Sequence, residues 1–190
     1  MLQKFLALLN RLFGWKFVSY IPEELKSFVM IGGPHTSNWD FFPAMHVADQ
    51  MGRNPKFVIK SEWLKPPLGF IFKAMGAVGV NRELIKTGKV ASSTDLLANL
   101  FKEHKDFVLM ISPEGTRSPV DEWKSGFYYI AQKAGVPIVL GYCDYAKREC
   151  GLGKVIYLSD FEKDMKEIMA FYNTKTPQNP ANFKLDKRFS

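Results

Sequence analysis

The chain has little sulfur with which to cross-link itself. Its 190 residues hold two cysteines, Cys143 and Cys150, on what reads as a strand end and a loop. That spacing suits neither a disulfide framework nor a zinc site and points to reduced thiols. No apolar stretch reaches the ~20 residues that a membrane-spanning helix requires. The longest candidate, Leu68 to Val80, is interrupted by Lys73 and three glycines. No small-residue cleavage site follows the first apolar segment, so a secretory signal is not expected. Internal repeats, linkers and low-complexity segments are lacking, and so is a GxSxG nucleophile elbow. What remains is one domain over 1–190, able to bury roughly 70% of its unfolded surface without help from metal or disulfide.

Acidic side chains are also in deficit, leaving a formal net charge of +7. Such a balance favours anionic partners: a phospholipid surface, phosphorylated substrates or an acidic carrier protein. Nucleic acid is not expected, because the basic residues are spread along the chain without a recognition motif. The first 17 residues contain no acid at all. Leu2, Phe5, Leu6, Leu9, Leu12 and Phe13 recur with a period near 3.6 against Lys4, Arg11 and Lys16. The pattern predicts an N-terminal amphipathic helix over 1–17 that lies on a membrane surface, with Trp15 at headgroup depth. The other reading is a helix packed on the domain's own core.

Two polar stretches interrupt apolar runs in an informative way. Phe28-Val29-Met30-Ile31 is cut off by Gly32-Gly33-Pro34, and His35 and Asp40 follow, spaced as HxxxxD. A short β-rich run ending in Gly-Gly-Pro reads as a buried strand emptying into a tight turn. The next apolar segment begins at Phe41 with Pro43 just inside it, where a helix tolerates proline. His35 and Asp40 therefore sit on a strand-to-helix loop. An imidazole there can take a proton from a hydroxyl and return it to a leaving group. A carboxylate on the far ring nitrogen fixes the tautomer. The bland reading is a loop histidine and an N-cap aspartate. In the second stretch, Phe107 to Ile111 is another strand-like run, ended by Ser112-Pro113 and delivering Glu114-Gly115-Thr116-Arg117-Ser118 into a loop.

The remaining elements follow from periodicity. Helices are predicted over Phe41 to Met51, Val90 to His104 and Gly126 to Ala134, the last closed by Gly135. Lys56 to Lys60, Ala77 to Val80, Pro137 to Tyr142 and Lys154 to Leu158 read as strands. Ser61 to Met75 reads as partly helical, broken at Pro66-Pro67. Ser159 with Glu162 forms a capping-box signature for a last helix through about Tyr172. From Asn173 a loosely ordered tail, 173–190, is expected. Strands alternating with helices give an α/β class with a largely parallel sheet flanked by helices, and sites in such sheets gather at the carboxyl ends of strands.

HxxxxD followed about 75 residues later by a strand and PEGTRS resembles the glycerolipid acyltransferase family, typified by lysophosphatidate (1-acylglycerol-3-phosphate) acyltransferases. Lys60-Ser61-Glu62-Trp63-Leu64 through Gly76 to Arg82 is similar to the family's second block, and Val136 to Leu140 to its fourth. The resemblance covers roughly residues 28 to 145. It implies a glycerolipid-acyltransferase-like fold and acyl transfer from a thioester, acyl-CoA or acyl carrier protein, to the hydroxyl of a lysophospholipid. His35 would be the general base and Asp40 its orienter. Glu114, Gly115, Thr116 and Arg117, with Arg82 and Lys60, would bind the acceptor's phosphate. Cofactor and metal are not expected, and the protein would work as a peripheral enzyme on the cytoplasmic face of the membrane.

The residues leave other outcomes open. Transfer to a non-phosphorylated or aminolipid acceptor, or hydrolysis of the thioester, uses the same base. Pro34 replaces the family's usual asparagine, and Asn81 stands where an acidic residue is common, which bears on the acceptor. Backbone N–H groups near Gly115 or Gly32-Gly33 are candidates for the oxyanion hole. Trp39 and Tyr128-Tyr129 are candidates for the acyl path. Cys143 lacks an identifiable base, His46 fits no metal-ligand spacing with His35 and Asp40, and His104 reads as a helix C-terminal charge complement.

Overall fold

The computed structural model describes residues 2–52, 55–67, 69–74, 76–80 and 92–190; the side chains of 2–6, 60 and 80 lie outside that description. Arg82 and Asn81 fall outside the described residues. Seven strands form one sheet in the order β1-β7-β6-β2-β5-β3-β4. They are β1 (Lys16–Ser19), β2 (Phe28–Gly33), β3 (Lys56–Lys60), β4 (Ala77–Val80), β5 (Val108–Ile111), β6 (Ile138–Asp144) and β7 (Glu149–Ile156). Every pairing is parallel except β6 with β7. The α/β class with a largely parallel, helix-flanked sheet is therefore the observed one.

The central strand β2 is FVMIGG, apolar at every position and buried along nearly its whole length. A strand without polar alternation needs cover on both faces, and it has it. On one face Val29, Ile31, Leu109, Ile138 and Leu140 pack under α4 (Ser93–Glu103), α5 (Gly126–Ala134) and α6 (Phe161–Asn173). On the other, Phe28, Met30, Val108 and Val139 meet Val47 and Met51 of the α2 region (Phe41–Gln50) together with Trp15 and Phe17. The short helix α3 (Gly69–Ala74) accompanies the β3–β4 connection.

Local signals set most boundaries. Gly135 closes α5 in the left-handed conformation, φ 67°. The Ser92 side chain caps α4 by accepting the Asp95 N–H. The last helix starts differently from expectation. Asp160, not Ser159, is its N-cap and accepts the Lys163 N–H, while the Ser159 hydroxyl donates to Asp164.

The N-terminal helix α1 (Leu2–Leu12) packs one side on the domain and leaves apolar side chains on the other. Ala7 and Asn10 are buried against α2, with Asn10 Nδ2 donating to the Phe42 carbonyl at 2.9 Å. Leu9 packs with Met45 and Ala48. Leu8, Leu12 and Phe13 face outward, Leu12 at 74% exposure. Trp15 is not at the outer surface of this helix: it lies half-buried, edge-on to Tyr145 with ring centroids 4.9 Å apart.

The segment beyond Asn173, expected as a loosely ordered tail, is anchored instead. Asp186 is fully buried and accepts the Trp123 backbone N–H at 2.9 Å and the Arg188 guanidinium at 2.7 Å. Lys187 N–H donates to the Asp121 carbonyl. A buried carboxylate with this many donors holds the chain firmly, whatever its Pro- and Asn-rich composition suggests.

Candidate active site

The order β6-β2-β5 brings the carboxyl ends of three parallel neighbours to one edge. His35 and Asp40 follow β2, Glu114 follows β5, and Tyr145 follows β6. The geometry begins with a local motif. Ser37 to Asp40 is a capping box: the Ser37 hydroxyl oxygen accepts the Trp39 N–H, and the Asp40 carboxylate reaches back to the N–H groups of Ser37 (2.9 Å) and Thr36 (2.8 Å). Asp40 is thus folded back toward His35 rather than capping α2, for which it makes no side-chain bond. Its Oδ2 lies 3.3 Å from His35 Nδ1. The five-residue spacing follows from the box.

Asp40 is buried, at 5% exposure, and its other oxygen accepts the Tyr145 phenol at 2.9 Å. Burial alone would raise the pKa of its carboxyl. The bonds from His35, Ser37, Tyr145 and Thr36 outweigh that and hold it below the ordinary aspartate value. Burial, and then Asp40 itself, push the Tyr145 phenol far up, so it remains a donor. His35 keeps about a quarter of its side chain exposed.

Glu114 is placed otherwise than as a phosphate contact. It is 6% exposed, its Oε1 accepts the His35 backbone N–H at 3.0 Å, and its Oε2 is buried without a protein partner among the described residues. Burial is the largest influence and pushes its pKa up to about 7. A carboxyl in that position braces the His35 loop. Gly33 makes room for this: a Cβ there would sit 3.2 Å from the ring of Tyr172 and 3.4 Å from Glu114. The Tyr172 hydroxyl, in turn, bridges the carbonyls of Ile31 and Gly141 at 2.9 Å each.

Gly115 turns in the left-handed region, φ 67°, and a Cβ on it would meet Lys124 Nζ at 2.5 Å. Its N–H closes the turn onto the Ser112 carbonyl, so this donor is already engaged and is a poor oxyanion candidate. Thr116 Oγ1 accepts the Ser118 N–H. Arg117 is exposed, and among the described residues no carboxylate pairs with it. Lys124, also exposed, crosses the same glycine and was not singled out by the sequence. Lys60 ends β3 opposite Val80, with its side chain outside the description.

Between α1 and the His35 loop lies an apolar cavity of about 210 Å³, lined by Leu9, Phe13, Trp39, Phe42, Tyr145 and Gln178 among others. Trp39 borders it. Tyr128 and Tyr129 do not: Tyr128 is buried with its hydroxyl on Asp164, and Tyr129 stacks on Phe161. His46 is buried against Phe17, and among the described residues no cluster of three His, Cys, Asp or Glu side chains is arranged to hold a metal. Burial also raises the Cys143 thiol well above its usual range, which disfavours a nucleophilic role. His104 stacks on Phe107 just past α4.

Tyr145 is the residue that sequence inspection missed. It lies 105 positions from Asp40, and nothing local announces it. Among the described residues no helix is long and apolar enough to cross a membrane. Comparisons with curated proteins and with solved structures found no match. The family model described as Acyltransferase matches residues 19–140, a span that holds both polar loops and the strands β2, β3, β4 and β5. The chain belongs to the acyltransferase family and is an acyl-transferring enzyme.

Proposed function

We propose that the protein moves a fatty acyl group from a thioester, carried by coenzyme A or acyl carrier protein, to the hydroxyl of a lysophospholipid such as 1-acylglycerol-3-phosphate. The observation that carries this reading is His35 Nδ1 against Asp40 Oδ2 at 3.3 Å. With Nδ1 committed to the carboxylate, Nε2 is the ring atom left for the substrate. It takes the acceptor's hydroxyl proton as that oxygen attacks the thioester carbonyl. The tetrahedral adduct collapses, the carbon–sulfur bond breaks, and the imidazolium returns the proton to the departing thiolate. No covalent enzyme intermediate is required.

Arg117, exposed on the loop after β5, supplies a fork suited to the acceptor's phosphate. Gly115 and Thr116 shape that loop, Arg82 and Lys60 are proposed to share the phosphate's charge, and Lys124 adds a cation at the same glycine. The outward Leu8 and Leu12 of α1 and Phe13 just after it, with Trp39 at 62% exposure beside the dyad, support peripheral seating on a phospholipid surface. The apolar cavity at Trp39 suits an acyl chain drawn from it. Cofactor and metal play no part in this scheme.

The test is release of free thiol from long-chain acyl-coenzyme A by pure protein on vesicles, with and without lysophosphatidate. Acceptor-dependent release supports the transfer reading. Release without acceptor would replace it with thioester hydrolysis, and release only with a non-phosphorylated or aminolipid acceptor would reassign the acceptor.

A further inference from the structure

We infer that Tyr145 is a positioning residue of the reaction, holding the Asp40 carboxylate in the orientation that serves His35. The inference rests on the proposed role of His35 as base and extends the site beyond the span that matches the family model. Asp40 has two oxygens with divided duties. Oδ2 takes the N–H groups of Thr36 and Ser37 and faces His35, while Oδ1 takes the Tyr145 hydroxyl at 2.9 Å. Without the phenol, the inner oxygen is a buried acceptor with one donor fewer. The carboxylate can then turn about its Cβ–Cγ bond and lose its aim at the ring.

Tyr145 is itself held from three sides. Trp15 packs edge-on against its ring, and its backbone N–H donates to the Thr176 carbonyl at 2.9 Å. β6, which delivers it, is registered in parallel against β2 from Val29 to Gly33. The segment that holds Tyr145 also grips the loop it acts on: Asn179 N–H donates to Thr36 Oγ1 at 3.2 Å, and Asn182 Nδ2 to the Thr36 carbonyl at 3.4 Å. The ionisable groups facing Asp40 are His35 on its own loop, Tyr145 and Cys143 from the β6 arm, and Glu114 from the loop after β5. Of these, His35 and Tyr145 bond its side chain.

The test compares Tyr145→Phe with wild type and with His35→Ala. Tyr145→Phe is expected to lower kcat on the order of tenfold, the worth of one hydrogen bond to a charged group, with both KM values within about twofold. Asp40 loses a bond that stabilises its charged form, so its carboxyl titrates at higher pH. Carbon NMR of the Asp40 carboxyl reads that shift without any turnover. Should Tyr145→Phe fold poorly, 3-fluorotyrosine placed at position 145 strengthens the donor and is expected to move the Asp40 titration the other way. An unmoved Asp40 titration, or a kcat within about twofold of wild type, overturns the role of Tyr145 while His35→Ala stays inactive. Activity surviving in His35→Ala overturns the base reading instead, and the Asp40 titration still reports on Tyr145.

Discussion

The backbone N–H of His35 donates to Oε1 of Glu114 at 3.0 Å, joining two loops that lie 79 positions apart in the chain. The bond makes the second motif part of the first. It also puts a carboxyl in a place where burial pushes its pKa up to about 7.

That pKa has a sign. A carboxyl that binds its proton more tightly when folded costs stability as the pH rises from about 4.5, its ordinary value, to about 7, and the cost is constant above. The full cost is roughly 3 kcal/mol. Glu114→Gln keeps an acceptor for the His35 N–H and removes the titration. Its melting temperature is expected to exceed that of wild type at pH 8 and to match it near pH 4. Equal pH slopes in thermal unfolding would refute the assignment.

His35→Ala is expected to lower turnover by roughly 10²–10⁴-fold, the usual worth of a general base, with an unchanged melting curve because the ring is partly exposed. Turnover within threefold of wild type would remove His35 from the role.

Arg117→Ala is expected to raise the acceptor KM about tenfold or more, as for a lost hydrogen bond to a charged group, and to leave the donor KM alone. The loop itself does not depend on this side chain, since Gly115 and Thr116 make its internal bonds. An unchanged acceptor KM would count against phosphate recognition there.

Leu12→Glu combined with Phe13→Glu changes two outward side chains, 74% and 67% exposed. Folding should be unaffected. Sedimentation with anionic vesicles is expected to show at least a tenfold loss of binding, since each apolar side chain is worth about 1.5–3 kcal/mol on burial. Wild-type vesicle binding by the double variant would exclude this face as the seat.

Asp186→Ala strips the acceptor from the Trp123 N–H and the Arg188 guanidinium. The loss of such a buried, charged hub is expected to cost about 3–5 kcal/mol. Differential scanning calorimetry should show it as a drop of roughly 6–20 °C.

How much of this was legible beforehand depends on the range of each interaction. The His35–Asp40 pair could be read because a capping box, four consecutive residues from Ser37 to Asp40, fixes its geometry locally. The parallel sheet could be read because β2 and β5 are apolar throughout and each empties into a polar loop. β1 was missed: Lys16–Ser19 is four residues long with exposed ends, and only its pairing with β7 makes it a strand. β7 starts five residues earlier than periodicity suggests because Cys-Gly-Leu-Gly carries no apolar alternation, yet β6 pairs with it from Glu149 to Ile156 across one register shift. Glu114 was assigned to the substrate on motif alone. Its burial is a tertiary fact, created by Gly33 and Tyr172. The ordering of residues 174 to 190 was illegible for the same reason, since the Trp123 N–H that Asp186 accepts lies 63 positions upstream.

The anchoring of Thr36 has a consequence for the order of events during synthesis. Thr36 and the Asn182 that holds it are 146 positions apart. At about 5–20 residues per second, roughly seven to thirty seconds pass between their appearances. Tyr145, Asn179 and Asn182 all follow the second motif in the chain, so none of their bonds to the His35 loop can form until that motif has been made. The His35 loop is made well before the residues that fasten it.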